Sequence, residues 1–452
     1  MLTSKSINLF KNELYWEKAC RFFSLSGYMN SKGSYFIHNK NKKQVHIGIK
    51  SQNSLIVDEK FEACSKALRK DDSKNIYRNS VYKHIEEKTD TTAPCFFLLS
   101  PDIERKHNDP QIPNIILVQP VIEFVFSPEH VDGCLSYAKN NDSKNKGEEI
   151  LKAFQEKRTH DYKYFIPNQI ESYEDIISNW SSKDNDESFL ARIEGAIKLL
   201  AGFPDGKMCL TRSYQYKLTQ KRNAFELYEH YVRFLGDYAC SHFFCIQPNY
   251  FSLGCTPENV FEINDGNLSA DVVAGTCKAS LDNEFIENEL VSNAKQIKEH
   301  STSLSRRPRR YEQYCVDGSL KLASQFNIKR LRNVFHFHSI INGKLNPDVT
   351  AFDIFENIFP LLSCNPKELL PFYDEMEREP HRFYGGIVGR SMRDSSGCFL
   401  NLRNALILDD VIYTKVGVGV LPESDAQSEL LETKNKISAL MESVFLWEQC
   451  RK

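Results

Sequence analysis

The residues of this chain best placed to do chemistry lie between positions 417 and 436, in the stretch GVGVLPESDAQSELLETKNK. Two glycines one residue apart, Gly417 and Gly419, follow a β-branched run. After a loop come Glu429, Glu432 and Lys436. Residues three or four apart on a helix share a face, so the two carboxylates and the lysine should project together. The glycines let the backbone come close to a ligand, with N–H groups free for an anion. An anion cradle beside paired carboxylates suits an anionic small molecule held through a divalent metal. The same letters also fit a strand, a turn and a solvated helix with ordinary surface charges, so the rest of the chain must decide.

The chain has 452 residues, enough for two or three lobes, with 41% hydrophobic and 26% charged residues, as in an ordinary globular protein. A net charge of −2 supplies no global field to recruit nucleic acid or a membrane surface. The one dense basic cluster, Arg306, Arg307, Arg309 and Arg310 around Pro308, reads as a solvated turn. The 13 cysteines contain no CxxC pair, which argues against a disulfide framework and against a zinc site. Reduced, packed thiols in a cytoplasmic protein are expected. The N-terminus lacks a continuous apolar segment of the secretory kind. The most apolar run, 114–126, is interrupted by Gln119, Pro120 and Glu123 and is too short to span a bilayer.

The elements that would position these groups can be read from periodicity. QVHIGI (44–49) alternates as a half-buried strand, while CFFLLS (95–100) and NIILVQPVIEFVF (114–126) read as denser, central strands with a break at Pro120. KNNDSKNKG (139–147) and SSKDNDE (181–187) are hydrophilic and read as loops or linkers. A boundary at the second gives an N-terminal α+β lobe over 1–185 and a catalytic region over 186–452. In that region a helix from Ser188, a strand at 207–218 and a helix from Arg222 to Tyr238 are expected. Strands follow at 242–246, 251–253, 259–263 and 268–273, with short turns that imply antiparallel pairing. Next come a long charged helix over 282–303, an extended segment at 336–341, and a final meander through 383–389, 398–408 and 411–420. Strands in meanders and helices in blocks make the class α+β.

In this order the second half resembles the chorismate-utilising enzymes, which include isochorismate synthase, salicylate synthase and the large subunits of anthranilate and aminodeoxychorismate synthase. The resemblance rests on GKMCLTRSY at 206, GCTPENVF at 254, VAGT at 273, KQIKEH at 295, VFHFHSIINGKL at 334, FYGGIVG at 383 and the 417–436 stretch. It implies large antiparallel sheets sandwiched by helices, and a reaction that adds a nucleophile at C2 of chorismate and expels the C4 hydroxyl. It also implies Mg²⁺, held by Glu299, Glu429 and Glu432. Lys436, Arg403, Tyr384 and the N–H groups around Gly417 and Gly419 match contacts to the substrate carboxylates, and Gly275 and Thr276 match a step beside the ring. Lys207 matches the lysine that acts as general base toward water, where ammonia-using members typically carry glutamine. A lysine base must be partly neutral, which calls for a pKa lowered by ~3 units through burial. Glu258 matches the general acid for the departing hydroxyl, and His336 a group that positions or polarises substrate. His338 matches no motif and reads as structural.

Three departures stand out. Gln296 occupies a position where the family often has a second glutamate. FPLLSCNPK (359–367) is about two residues shorter than the usual loop, with Cys364 in place of glycine. Cys277 replaces a residue that is frequently basic. The resemblance thus implies a magnesium-dependent isochorismate synthase without an obligatory glutaminase subunit. A salicylate synthase, an ammonia-using synthase and a catalytically silent binding protein are the competing expectations. Whether the product would serve menaquinone, a siderophore or another aromatic compound is not written in the residues.

Overall fold

The computed structural model describes residues 14–49, 90, 92–104, 107, 109, 112–156, 173–220, 222–236, 238–278, 283–331, 334–358, 361–392 and 394–449. The chain opens with helix α1 (Leu14–Ser26) and strands β1 (Tyr35–Asn39), β2 (Gln44–Ile49), β3 (Cys95–Leu99), β4 (Ile115–Val118), β5 (Ile122–Phe126) and β6 (Cys134–Ala138). Helices α2 (Asn141–Glu156), α3 (Tyr173–Ser178) and α4 (Asp186–Leu200) lead to β7 (Lys207–Lys217) and α5 (Ala224–Leu235). A meander of β8 (Cys240–Gln247), β9 (Tyr250–Thr256), β10 (Asn259–Asn264) and β11 (Asn267–Lys278) follows. Beyond it lie α6 (Asn283–Ile286), α7 (Ala294–Arg306), β12 (Lys321–Arg330), β13 (Val334–Lys344), α8 (Ala351–Ile358), β14 (Cys364–Asn365) and α9 (Leu370–Met376). Strands β15 (Ile387–Met392), β16 (Ser395–Leu400), β17 (Asn404–Leu408) and β18 (Val411–Val420) precede the last helix, α10 (Ala426–Gln449).

The strands form two antiparallel sheets. The first runs β14-β7-β18-β17-β9-β8-β1-β2-β5-β6 and the second β12-β13-β11-β10-β16-β15-β3-β4. Their inner faces share one apolar layer, in which Tyr35, Ile37 and Phe244 of the first sheet meet Phe96, Val388 and Phe399 of the second. The outer face of the first sheet packs on α1, α5 and α10 through Phe23, Phe225, Tyr228 and Trp447. The outer face of the second is covered by Phe352 and Phe355 of α8. Helices therefore sandwich paired antiparallel sheets, the α+β arrangement expected. Between the sheets Glu123 on β5 accepts from Arg390 Nε at 2.8 Å and Nη2 at 2.7 Å, and from the Tyr35 hydroxyl at 2.5 Å.

Several local expectations need correction. Strands from both sides of residue 185 pair within each sheet, β1 on β8 and β3 on β15, so 181–187 is a connection and not a seam between two hydrogen-bonded bodies. The hydrophilic 139–147 stretch is not a loop. It starts α2, whose half-buried Ile150, Leu151 and Phe154 pack on the first core. Strand β4 lies at the edge of its sheet although its residues are buried. The single helix expected over 282–303, whose first residue falls outside the described set, is broken. A π-helical turn at Glu287–Val291 ends α6, and Asn293 then caps α7 by accepting from the N–H groups of Lys295 and Gln296. Residues 383–386 form a turn, and β15 starts only at Ile387. Every cysteine among the described residues is a free thiol, and no described helix is long and apolar enough to cross a membrane.

Candidate active site

Strand β18 carries the two glycines along its pairing with β7, Gly417 opposite Thr211 and Gly419 opposite Cys209. A Cβ at Gly419 would lie 2.5 Å from Lys207 Cε and 3.0 Å from Glu299 Oε1. One at Gly417 would lie 3.0 Å from the Tyr384 hydroxyl. The absence of side chains on β18 is thus what lets Lys207, Glu299 and Tyr384 approach its backbone. The Gly417 N–H meets the Tyr384 hydroxyl, and by the two-residue repeat of a strand the Gly419 N–H points the same way. Lys436 reaches back from α10 to the Gly417 carbonyl at 3.2 Å and pairs with Glu432 at 2.6 Å.

A second group gathers on the other sheet. At a bulge in β11, Gly275 takes φ +74°, and a Cβ there would stand 2.8 Å from the Gln296 carbonyl. The bulge frees the Thr276 N–H, which donates to the Gln296 side-chain oxygen at 2.7 Å. Gln296 therefore supports the Gly275–Thr276 step. His336 lies between Thr276 Oγ1, 3.0 Å from Nδ1, and Arg403 Nη2, 3.3 Å from Nε2. A guanidinium only donates, so Nε2 accepts and Nδ1 carries the hydrogen. Burial, and then Arg403, push the His336 pKa well below its usual value, so the ring is neutral. Arg403 has φ +49°, a left-handed conformation that a non-glycine side chain adopts at a cost. Its Nη1 is buried without a hydrogen-bond partner. An unpaired buried guanidinium nitrogen is what an anionic ligand would complete.

The charges are distributed differently from expectation at Lys207. Burial lowers its pKa, but the Glu299 carboxylate at 3.1 Å and the Cys209 thiol together outweigh burial, and the net shift is upward. Lys207 is an ammonium ion here, not the partly neutral amine that a buried lysine suggests. Glu258 sits in the turn between β9 and β10, 4% exposed, and burial raises its pKa against the opposing pull of Arg307.

Against this geometry, the family model of chorismate binding enzymes matches residues 32–442. The chain belongs to that family. Anthranilate synthase component 1 of Haloferax volcanii is 27% identical over 203 residues, 42% of this chain and 39% of that protein. The same component of Pseudomonas aeruginosa is 28% identical over 208 residues, 44% of this chain and 42% of that protein. The chain aligns with about two fifths of the length of these curated relatives. The menaquinone-specific isochorismate synthase of Escherichia coli superposes with a TM-score of 0.68 at 16% identity, covering 96% of this chain and 92% of that one. Anthranilate synthase component I of Streptococcus pneumoniae gives 0.66 at 15% identity, with 90% of each chain covered. At these identities the superpositions speak for the fold.

In this chorismate binding enzyme the carboxylates expected to hold a metal are close to one another but bound to lysines. Lys295 Nζ stands 3.3 Å from Glu299 Oε2 and 3.0 Å from Glu429 Oε1, so one cation already joins carboxylates from α7 and α10. No trio of His, Cys, Asp or Glu among the described residues surrounds a single point as metal ligands would. Two features nevertheless suit a divalent ion. The oxygen donors are of the hard type that Mg²⁺ prefers. Glu429 is 1% exposed and its Oε2 is buried without a partner, while Ser424 donates to its Oε1 at 2.6 Å. Burial, with Glu432 adding to it, raises the Glu429 pKa to about 7. The three lysines reduce the local charge that would otherwise push these carboxylates apart.

The structure thus gathers Lys207, Glu299, Glu429, Glu432, Lys436, Gly417, Gly419 and Tyr384 along β18, with Gly275, Thr276, His336 and Arg403 as a second group and Glu258 set further along. Three neighbours were not singled out beforehand. Lys295 lies one turn before Glu299, a spacing visible in KQIKEH. Ser424 supports Glu429. Arg307, read as part of a solvated cluster, is instead paired with Glu258. His338 Nε2 lies 3.2 Å from Asp271 Oδ1 and Cys364 packs beside Met208, whereas Phe359 and Pro360 of the short loop lie outside the described residues.

Proposed function

We propose that the chain is an isochorismate synthase, adding water at C2 of chorismate and expelling the C4 hydroxyl. The observation that carries this reading is Lys207: a lysine, not an amide, stands at the start of β7 against Gly419 and Glu299. Lys207 takes a proton from water as the oxygen bonds to C2. Glu258 gives a proton to the C4 oxygen, which leaves as water, so the overall change is an isomerisation. Arg403, Lys436 and the N–H groups of Gly417 and Gly419 hold the substrate carboxylates, and the neutral His336 orients Arg403. Glu299, Glu429 and Glu432 would hold Mg²⁺, which when bound neutralises a substrate carboxylate and anchors it to the protein. For Lys207 to accept a proton it must first give one up. Its pairing with Glu299 opposes that, so the carboxylate's charge must be balanced by another cation when the base acts.

A second reading, an ammonia-using synthase of the anthranilate type, is favoured by the curated relatives. Lys207 argues against it, and we propose that no glutaminase subunit is required. Purified protein incubated with chorismate and Mg²⁺, with products resolved by chromatography, separates the readings. Isochorismate alone supports the proposal. Salicylate with pyruvate, or anthranilate with ammonium, replaces it. Lys207→Gln should lose water addition, and wild-type turnover in that variant removes the base from the account.

A further inference from the structure

The basic cluster 306–310 does not lie in solvent as a unit. Helix α7 ends at Arg306, and Arg307 caps it with its own N–H on the Ser303 carbonyl. Arg306 and Arg310 tie down the turn by donating to the carbonyls of Asp205 (2.9 Å) and Ile358 (2.8 Å). The Arg307 side chain turns inward, 14% exposed, and its Nη2 donates to Glu258 Oε1. Its Nη1 is buried with no hydrogen-bond partner, so Glu258 is the one carboxylate this guanidinium pairs with among the described residues. The helix that carries Glu299 therefore also reaches the carboxyl group proposed as the acid, about two turns and ~12 Å further along its axis.

We propose that Arg307 is a positioning residue for the acid step: by donating to Glu258 Oε1 it leaves Oε2 as the oxygen that carries the proton and delivers it to the leaving hydroxyl. The inference rests on the reading of Glu258 as the acid of water addition. A guanidinium has five donors and no acceptor, so the oxygen it contacts is held as the acceptor and the proton is favoured on the other. In the step itself the Oε2–H bond breaks, the C4 oxygen takes the proton, its bond to C4 breaks and water departs. Glu258 is left as a carboxylate, now fully balanced by Arg307. The protonated acid is thus oriented, and the charged product of the step is stabilised, by the same contact.

The charged groups that bear on Glu258 come from three directions. Arg307 faces it from the end of α7, Asp271 from β11 and Lys207 from β7, and the Tyr311 side chain bonds Arg307 from the turn beyond. Asp271 is itself shared with His338 at 3.2 Å and Lys329 at 3.9 Å. Burial and Asp271 raise the Glu258 pKa; Arg307 and Lys207 lower it.

The test is the pH dependence of isochorismate formation by wild type, Arg307→Met and Arg307→Lys at saturating Mg²⁺. Removing the guanidinium should lower kcat ~10- to 100-fold, a part of the ~10²–10⁴-fold that a positioned acid supplies. It should also move the limb set by the Glu258 proton upward by about one pH unit or more, since an adjacent cation shifts a carboxyl by ~1–3 units. Arg307→Lys keeps a charge but not the planar fork, so it should restore the limb and recover kcat only in part. A limb that stays at the wild-type position in Arg307→Met, with kcat unchanged, overturns the proposal. If the methionine variant does not fold, Arg307→Gln carries the same test, with an upward limb in favour and an unmoved limb against. The functional reading fails separately, as a wild-type protein that makes no isochorismate.

Discussion

Gly419 is the position where an added methyl group tests the site without testing the fold. An alanine Cβ would lie 2.5 Å from Lys207 Cε, 3.0 Å from Glu299 Oε1 and 3.1 Å from Lys207 Nζ. Carbon atoms rest about 3.5–4.0 Å apart, so the Lys207 stem must retreat by roughly 1 Å. The backbone cost is nil: Gly419 lies inside β18 and is not among the positive-φ glycines, and alanine within a strand is no worse than glycine. A misplacement of ~1 Å in a reacting group costs on the order of 10²-fold in rate, or about 2.7 kcal/mol of transition-state stabilisation. Gly419→Ala should therefore show kcat reduced ~100-fold with an unfolding temperature within a few degrees of wild type. The control is Gly195→Ala on α4, where the nearest atom is Met376 Cε at 3.7 Å and turnover should be unchanged. Wild-type turnover in a folded Gly419→Ala protein refutes the placement of Lys207.

Other expectations reach different parts of the molecule. Glu432→Ala should raise the Mg²⁺ concentration needed for half-maximal activity at least tenfold, and an unchanged requirement in a Mg²⁺ titration counts against the carboxylate assignment. Glu123→Gln leaves the buried Arg390, 12% exposed, without its counter-charge, at a cost of ~3–5 kcal/mol. Urea unfolding reads this directly, and a loss below about 1 kcal/mol contradicts the role of that pair in joining the sheets. Burial depresses the pKa of His38 and His242 to about 3 and of His230 to about 4. Their folded values lie below the unfolded ~6.5, so their contribution to stability is complete above pH 6.5 and is lost as pH falls. The loss is at most about 2 kcal/mol per histidine by pH 5. Unfolding free energies that stay flat from pH 7 to 5 rule this out.

What could be read ahead of the structure was what is local in the chain. The glycine pair and the carboxylates of 417–436 lie in one contiguous stretch, and strand alternation placed β2, β7–β11 and β13 within a few residues. Polar composition misled at α2, because the reading stopped at Gly147, before the apolar Ile150, Leu151 and Phe154 that make the helix amphipathic. The helix expected over 282–303 was broken by a cap, Asn293, whose significance appears only with its two N–H donors. The charge state of Lys207 could not be read from its own strand, since the carboxylate that fixes it arrives from α7. Arg307 shows the same limit: Glu258 is 49 residues away in sequence, and nothing in RRPRR says which arginine turns inward. Pairings across the fold decide the electrostatics, and periodicity does not encode them.

The most direct test of the central claim is conversion of chorismate in H₂¹⁸O by wild type and Lys207→Gln, with product mass read by chromatography and mass spectrometry. Water addition predicts isochorismate from wild type with one ¹⁸O in its C2 hydroxyl, and none of this product from Lys207→Gln. An unlabelled product, or anthranilate formed with ammonium in place of isochorismate, contradicts it.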